Sequence, residues 1–174
     1  MRMDLHLHTP ASADYHEPEN TYLDILRQAH ARNLDLIAIT DHNTVAGYRS
    51  MQQEIAELEL LERRDRLRVD EKQRLSEHRR LLSKIVVLPG FEFTATFGFH
   101  VLAVFSQKTS IRTIEHVLLD LNIPPDQLDS GETALGSTMD VLTAYRLIDE
   151  AGGIAIAAHA NSTNGVAMRG FRFG

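Results

Sequence analysis

Apolar residues in this chain fall in short, nearly continuous runs separated by stretches of helical spacing. Leu34-Asp35-Leu36-Ile37-Ala38-Ile39-Thr40 reads as a buried strand, following a helix over roughly residues 21–33. Ile85-Val86-Val87-Leu88 forms a second run, ending at Pro89-Gly90, and Val101-Leu102-Ala103-Val104-Phe105 a third. Ile154-Ala155-Ile156-Ala157-Ala158 is a fourth, after Gly152-Gly153 closes a helix that starts near Thr138. Such strands between helices predict a parallel sheet covered on both faces, either an α/β barrel or a doubly wound sheet. The segment Met3-Asp4-Leu5-His6-Leu7-His8-Thr9 differs because it alternates. In a strand, Asp4, His6 and His8 point to one face and Met3, Leu5 and Leu7 to the other. Two imidazoles about 7 Å apart on one face can ligate one metal ion.

Residues 51–84 hold nine Lys/Arg and eight Asp/Glu with no Gly or Pro, so half of the stretch is charged. Ile55, Leu58, Leu61, Leu75 and Leu82 sit at helical spacings, which predicts long, well-solvated helix in an exposed insertion. Asp70 with Gln73 resembles a helix start, so a break near Val69-Asp70 into a helical hairpin is expected. Residues 122–137 carry two Pro and two Gly without periodicity and read as a loop.

At 174 residues, with 43% hydrophobic and 24% charged residues, the chain suits one soluble globular domain. A net charge of −6 argues against a nucleic-acid binder held by charge alone. The absence of cysteine removes disulfides, thiolate metal sites and cysteine nucleophiles, leaving His and carboxylate as the ligand set. It also fits a reducing compartment, and with no signal peptide or apolar run of membrane-spanning length a cytoplasmic location is expected.

The polar outliers gather at one end of the strands. His6 and His8 end the first strand, Asp41-His42 follow the second, Glu92 comes four residues after Leu88, and His159 follows the last. Active sites of parallel α/β sheets and barrels are built at that edge. His100 precedes its run, and Phe97-Gly98-Phe99-His100 predicts a tight or antiparallel turn that returns it to the rim. Asp41 is the candidate catalytic residue. It orients a ligand imidazole, ligates directly, or simply caps a helix. Asp14 and His16 lie in the loop after the first strand, where Asp usually makes local turns. His30, His78 and His116 fall within helices and read as solvent-facing or packing residues. Arg169 and Arg172 can contact phosphate, but read more simply as solvated. Five histidines with Glu92 and Asp14 exceed one four-coordinate site, and Glu92 can bridge two ions, so two or three divalent metals are the economical reading. Such clusters activate water and clamp phosphoester oxygens, which makes metal-assisted phosphoester hydrolysis the leading reaction class.

His6-Leu7-His8-Thr9, Ile39-Thr40-Asp41-His42-Asn43-Thr44, Pro89-Gly90-Phe91-Glu92, His100 and Ala158-His159 together resemble the successive motifs of the polymerase and histidinol phosphatase (PHP) domain family. The resemblance runs from residue 4 to about 165. It implies a distorted (β/α)7 TIM-like barrel with a trinuclear site, usually of zinc, manganese or iron. By position, His6, His8 and Glu92 would hold one metal; Glu92 would bridge to a second, with His100 and His159; Asp14 and His42 would hold the third. The strings around Asp14 and His159 look most like PHP domains fused to ATPase modules. The expected partners are a phosphorylated small molecule, nucleotide or nucleic-acid end, and a fused or associated ATPase. The alternative is a catalytically silent, metal-stabilised module docked to an ATPase or polymerase.

One departure stands out. The family pattern ends in an Asp-x-His motif that completes the first and third metals, whereas no Asp or His follows His159 here. Seven strand-helix units need roughly 200 residues. The chain is therefore expected to be an incomplete N-terminal portion, with an apolar sheet edge that favours self-association.

Overall fold

The computed structural model describes residues 1–17, 19–133 and 138–159; Arg169 and Arg172 lie outside them. Among the described residues, five strands form one curled sheet in the order β1-β2-β3-β4-β5: β1 Met3–Leu7, β2 Leu36–Ile39, β3 Val86–Thr94, β4 His100–Val104 and β5 Ile154–Ala157. The described α-helices between them are α1 Tyr22–Ala31, α2 Ala46–Arg63, α3 Val69–Leu82, α4 Ile111–Asp120 and α5 Val141–Glu150. The fold is mixed α/β. No described helix is long and apolar enough to cross a membrane.

The expected all-parallel sheet is only half right. β1, β2 and β3 run parallel, but β4 is antiparallel to both β3 and β5. The reason is the link between β3 and β4, a short turn over Thr96–Gly98, too tight for the crossover that parallel neighbours require. β5 then runs in the direction of β1 to β3. Their C-terminal ends share one edge of the sheet, and β4 starts there.

β3 is also longer than its apolar run suggests. It continues through Pro89-Gly90, pairing with β2 over Val86 to Pro89 and with β4 over Gly90 to Thr94. Glu92 therefore lies inside a strand, and the alternation of β3 places it opposite Phe91 and Phe93. Those two rings are fully buried in the core with Ile37 and Ile39 from the sheet, Phe105 just after β4, Ile114 and Leu118 from α4, and Ala144 and Ile148 from α5. The helix starts follow local chemistry. The Thr21 hydroxyl caps α1 in a reciprocal box with Asp24, and Ser110 and Asp140 accept the Thr113 and Thr143 amides at 3.1 and 2.9 Å.

The charged stretch forms the later turns of α2 and all of α3, broken near the expected point. Its N-terminal box is formed by Glu71, which accepts the Arg68 amide at 2.9 Å, rather than by Asp70 and Gln73. Nor is it solvated all round. α3 buries Leu75, His78 and Leu81 and packs on α1, where Arg27 forms a two-pronged ion pair with Glu77. His78 is therefore an interior residue, whereas His116 is exposed.

Gly90 is set by close approach. A Cβ there would stand 2.3 Å from the Ala103 carbonyl oxygen of β4, a backbone atom that cannot yield without parting the strands. Gly90→Ala is expected to lower stability by about 1–3 kcal/mol, the usual cost of overpacking. Urea unfolding measures it, and a midpoint equal to wild type would show that β4 shifts freely.

Candidate metal centre

Each element delivers its polar residue to the shared edge by a different local device. β1 carries a bulge: Asp4 pairs with Ile37 but Leu7 with Ile39, so one extra residue is absorbed between them. The His6 amide donates to Asp4 Oδ1 at 3.1 Å, and the Leu7 amide to Thr40 Oγ1 at 3.1 Å. His6 and His8 remain neighbours, with ring centroids 5.2 Å apart. After β2, residues 41–43 keep running beside β3. The Glu92 amide donates to the Asp41 carbonyl, and the Asn43 amide to the Glu92 carbonyl. His42 thus sits directly beside Glu92. His100 is the first residue of β4, opposite Thr94, so the antiparallel turn carries it to the rim.

Glu92 is the hub. Its side chain has no exposed surface. Oε2 lies 2.8 Å from His6 Nε2, 2.9 Å from His8 Nε2 and 3.5 Å from His42 Nδ1. Oε1 lies 2.8 Å from His100 Nδ1 and 3.2 Å from His159 Nε2. The imidazoles close a ring around it, with centroid separations of 5.2 Å (His6–His8), 4.6 Å (His8–His42), 5.3 Å (His42–His100), 5.1 Å (His100–His159) and 5.1 Å (His159–His6). Asp14 spans the outer side, its two oxygens 3.1 Å from His8 Nδ1 and 3.3 Å from His42 Nε2. A cavity of about 480 Å³ opens over this cluster and is lined also by Thr94, Gly98 and Thr133.

The donor set fits divalent metal. Ligands sharing one ion at roughly 2.0–2.1 Å stand about 3.0–3.4 Å apart, and the nitrogens and oxygens here approach one another at 2.8–3.5 Å, which brackets that separation. His100 Nδ1 and His159 Nε2 face each other at 3.0 Å while both also approach Glu92 Oε1. His42 Nδ1 is buried without a hydrogen-bond partner. Among the described residues, three groups bring their donor atoms within 4.8 Å of one another: His6, His8 and Glu92; His8, Asp14 and His42; and His42, Glu92 and His100. All seven expected ligands therefore meet in one place. His8 and His42, however, each reach two groups rather than one.

The electrostatics follow from burial opposed by partners. Burial pushes the Glu92 carboxyl up, but hydrogen bonds from His100, His6 and His8 outweigh it and hold the group far below the usual carboxylate range. Burial likewise opposes ionisation of Asp14, yet its bond to Ser12 and the nearby His8 and His42 bring it down. For His8, burial pulls downward, and the Glu92 hydrogen bond with the charges of Asp14, Glu92 and Asp41 pushes it above 6.5 in total. His42 and His159 are held below 6.5, chiefly by burial.

Asp41 is engaged by the loop after β1. Both its oxygens are engaged by Thr9, Oδ1 by the amide at 2.6 Å and Oδ2 by the hydroxyl at 2.8 Å, rather than by a ligand imidazole. It is fully buried and ties the loop after β1 to the end of β2. Gly47 makes room for this tie, since a Cβ there would meet Asp41 Oδ2 at 2.0 Å and Thr9 Oγ1 at 2.3 Å. Ser12 Oγ accepts the His42 amide at 3.2 Å. Thr9, Ser12 and Gly47 were not legible as site residues. A buried Ser or Thr looks like any other in sequence, and Gly47 betrays itself only by occupying a helix's first turn.

No family model matches the chain, and no curated protein matches its sequence. Among solved structures, a "putative metal-dependent phosphoesterase" from Bifidobacterium adolescentis aligns with 23% identity and a TM-score of 0.37, over 86% of this chain and 50% of that one. This chain therefore spans half the length of that protein.

Burial pushes the Asp41 carboxyl up to about 6 against the opposing bonds from Thr9. A carboxyl that binds its proton more tightly folded than unfolded contributes stability that is full below its ordinary range near 4 and is lost as pH rises through 6. In metal-free protein, Asp41→Asn is expected to remove that downward slope from the pH dependence of thermal unfolding between about pH 4 and 6. An unchanged slope would mean that Asp41 is ionised throughout.

Proposed function

We propose that this chain is a PHP-type metal-dependent phosphoesterase, with a cluster of two or three divalent ions (zinc, manganese or iron) hydrolysing a phosphate ester. The observation that carries this reading is the ring of five imidazoles closed around one fully buried carboxylate at the C-terminal rim of the strands. His6, His8, Asp14, His42, Glu92, His100 and His159 are the proposed ligands. A bound cluster of this kind supplies a water made acidic enough to attack and positive charge for the phosphoester oxygens. The protein's own part is orientation. Glu92 anchors both halves of the ring, Asp14 holds His8 and His42 from outside, and Asp41 fixes the loop that carries His8 through Thr9. The curled sheet supports an incomplete TIM-like barrel, in which β1 and β5 each pair on one side only among the described residues. Those edges are where self-association, or an attached ATPase, would act.

The substrate class follows from the chemistry: a phosphomonoester, nucleotide or nucleic-acid end. A catalytically silent module would bind the same metals and turn none of these over, so a substrate panel with Mn²⁺ or Zn²⁺ distinguishes the two.

His6→Ala, Glu92→Ala and His159→Ala are each expected to lower bound metal at least severalfold by elemental analysis and to abolish phosphate release, while His116→Ala changes neither. Equal metal in all four variants would remove the ligand assignment. Imidazoles bind metal only without their ring proton. Occupancy is therefore expected to fall as pH drops below about 6.5, gradually, because His42 and His159 keep their free nitrogens to lower pH than His8 does. Full retention near pH 4 would point to another ligand set.

A further inference from the structure

The three groups that bring their donor atoms together are not anchored alike. Two of them contain Glu92, whose carboxylate has no exposed surface and is fixed by its imidazole partners. The third, made of His8, Asp14 and His42, lacks Glu92. Its carboxylate comes from Asp14, a loop side chain that is 42% exposed. A carboxylate reaching into solvent is free to turn, and ordering it costs conformational entropy. Some group other than Glu92 has to aim it.

Ser12 is placed to do so. A hydroxyl has one proton to give and two lone pairs to receive with. The Ser12 hydroxyl donates to the Asp14 carboxylate and accepts the His42 amide at 3.2 Å, so one oxygen is tied to both residues. Asp14 in turn reaches His8 Nδ1 at 3.1 Å and His42 Nε2 at 3.3 Å. Ser12 is itself buried, where a lost hydrogen-bonding partner is costly to replace.

The loop that carries Ser12 does not depend on this hydroxyl. The Ser12 amide donates to the Thr9 carbonyl at 2.9 Å, the Tyr15 amide to the Ser12 carbonyl at 3.1 Å, and the Ala13 amide to the Gly131 carbonyl at 3.0 Å. Thr9 is held in turn by Asp41. Gly131 lets the two segments touch, since a Cβ there would meet the Ala11 carbonyl oxygen at 2.0 Å. Backbone bonds therefore set where Ser12 sits. Its side chain is left to act on Asp14 and His42.

We propose that Ser12 is the positioning residue of the outer group, aiming the Asp14 carboxylate and holding the His42 segment as Glu92 does for the other two groups. This role rests on the metal reading above and deepens it: one ion of the cluster depends on Ser12, and the rest do not. Groups that orient a ligand from behind typically govern metal affinity by about 10- to 100-fold.

Metal-free protein is titrated calorimetrically with Zn²⁺, and the bound ions are counted by elemental analysis. Ser12→Ala is expected to weaken binding of one ion by about 10- to 100-fold and to leave the others at wild-type affinity. Ser12→Thr, which keeps a hydroxyl, is expected to restore it. Asp14→Asn is expected to lose the same ion, and adding Ser12→Ala to it should cost nothing more, because Ser12 acts through that group. Glu92→Gln is expected to weaken the ions that Ser12→Ala leaves intact. Hydrogen exchange on the metal-free proteins separates aiming from loop-holding. In Ser12→Ala the His42 amide should exchange faster, while the Ser12, Ala13 and Tyr15 amides of the variants keep wild-type rates. Unchanged Zn²⁺ binding in Ser12→Ala, equal weakening of every ion, no recovery in Ser12→Thr, further loss in the double variant, or faster exchange throughout the loop each overturns the proposal. Wild type that takes up no Zn²⁺ removes the metal reading and this role with it. Wild type that binds Zn²⁺ no better than Ser12→Ala does removes the role alone.

Discussion

Glu92 is a carboxylate with no contact with water, and five imidazoles crowd its two oxygens. A buried charge survives only if it is paired and hydrogen-bonded, since the desolvation cost otherwise neutralises it. Here the compensation comes from β1, β4 and the segments following β1, β2 and β5 at once. The side chain therefore constrains the whole rim. Its partners must arrive from separate parts of the chain, and each local device described above, the bulge in β1 and the tight turn before β4 among them, brings one of them within reach.

The opposite face of β3 shows how the constraint is supported. Phe91 and Phe93 are buried among the helices, so the strand carrying Glu92 is pinned by apolar packing from behind. Burying large aromatic side chains contributes on the order of 1.5–3 kcal/mol each. The polar cluster in front need not hold the strand in place. Crowded nitrogen and oxygen lone pairs, unfavourable by themselves, are set in position by a core that gains its stability elsewhere.

A second layer fixes the loops. Asp41 and Thr9 join the loop after β1 to the end of β2, and Ser12 holds the His42 amide. The segment before α5 is laced to the same rim: the Ala13 amide donates to the Gly131 carbonyl, Asn43 to Glu132 and Thr94 to Thr133. Arg49 of α2 adds ion pairs to Glu115 and Asp129. Loops held this way keep the imidazole and carboxylate atoms near one geometry, which a site able to take metal requires of its surroundings.

Much of this was legible along the chain. The alternation in Met3–Thr9 located β1 and placed His6 and His8 on one face, and the four apolar runs located the other described strands, because side-chain period and hydrophobicity are local properties. The residue types at the strand ends pointed to a His/Glu cluster that could hold metal. Sheet direction was not local. Whether β4 ran parallel or antiparallel depended on the turn at Thr96–Gly98, and that choice brought His100 to Glu92. The extent of β3 through Pro89-Gly90, the bulge in β1 and the engagement of Asp41 with Thr9 likewise arise from pairing between distant segments. Sequence therefore determined which side chains could bind metal, and on which elements they sit. Tertiary structure alone decided that they converge on one carboxylate, because convergence is a property of strand order and direction, which no single stretch of chain contains.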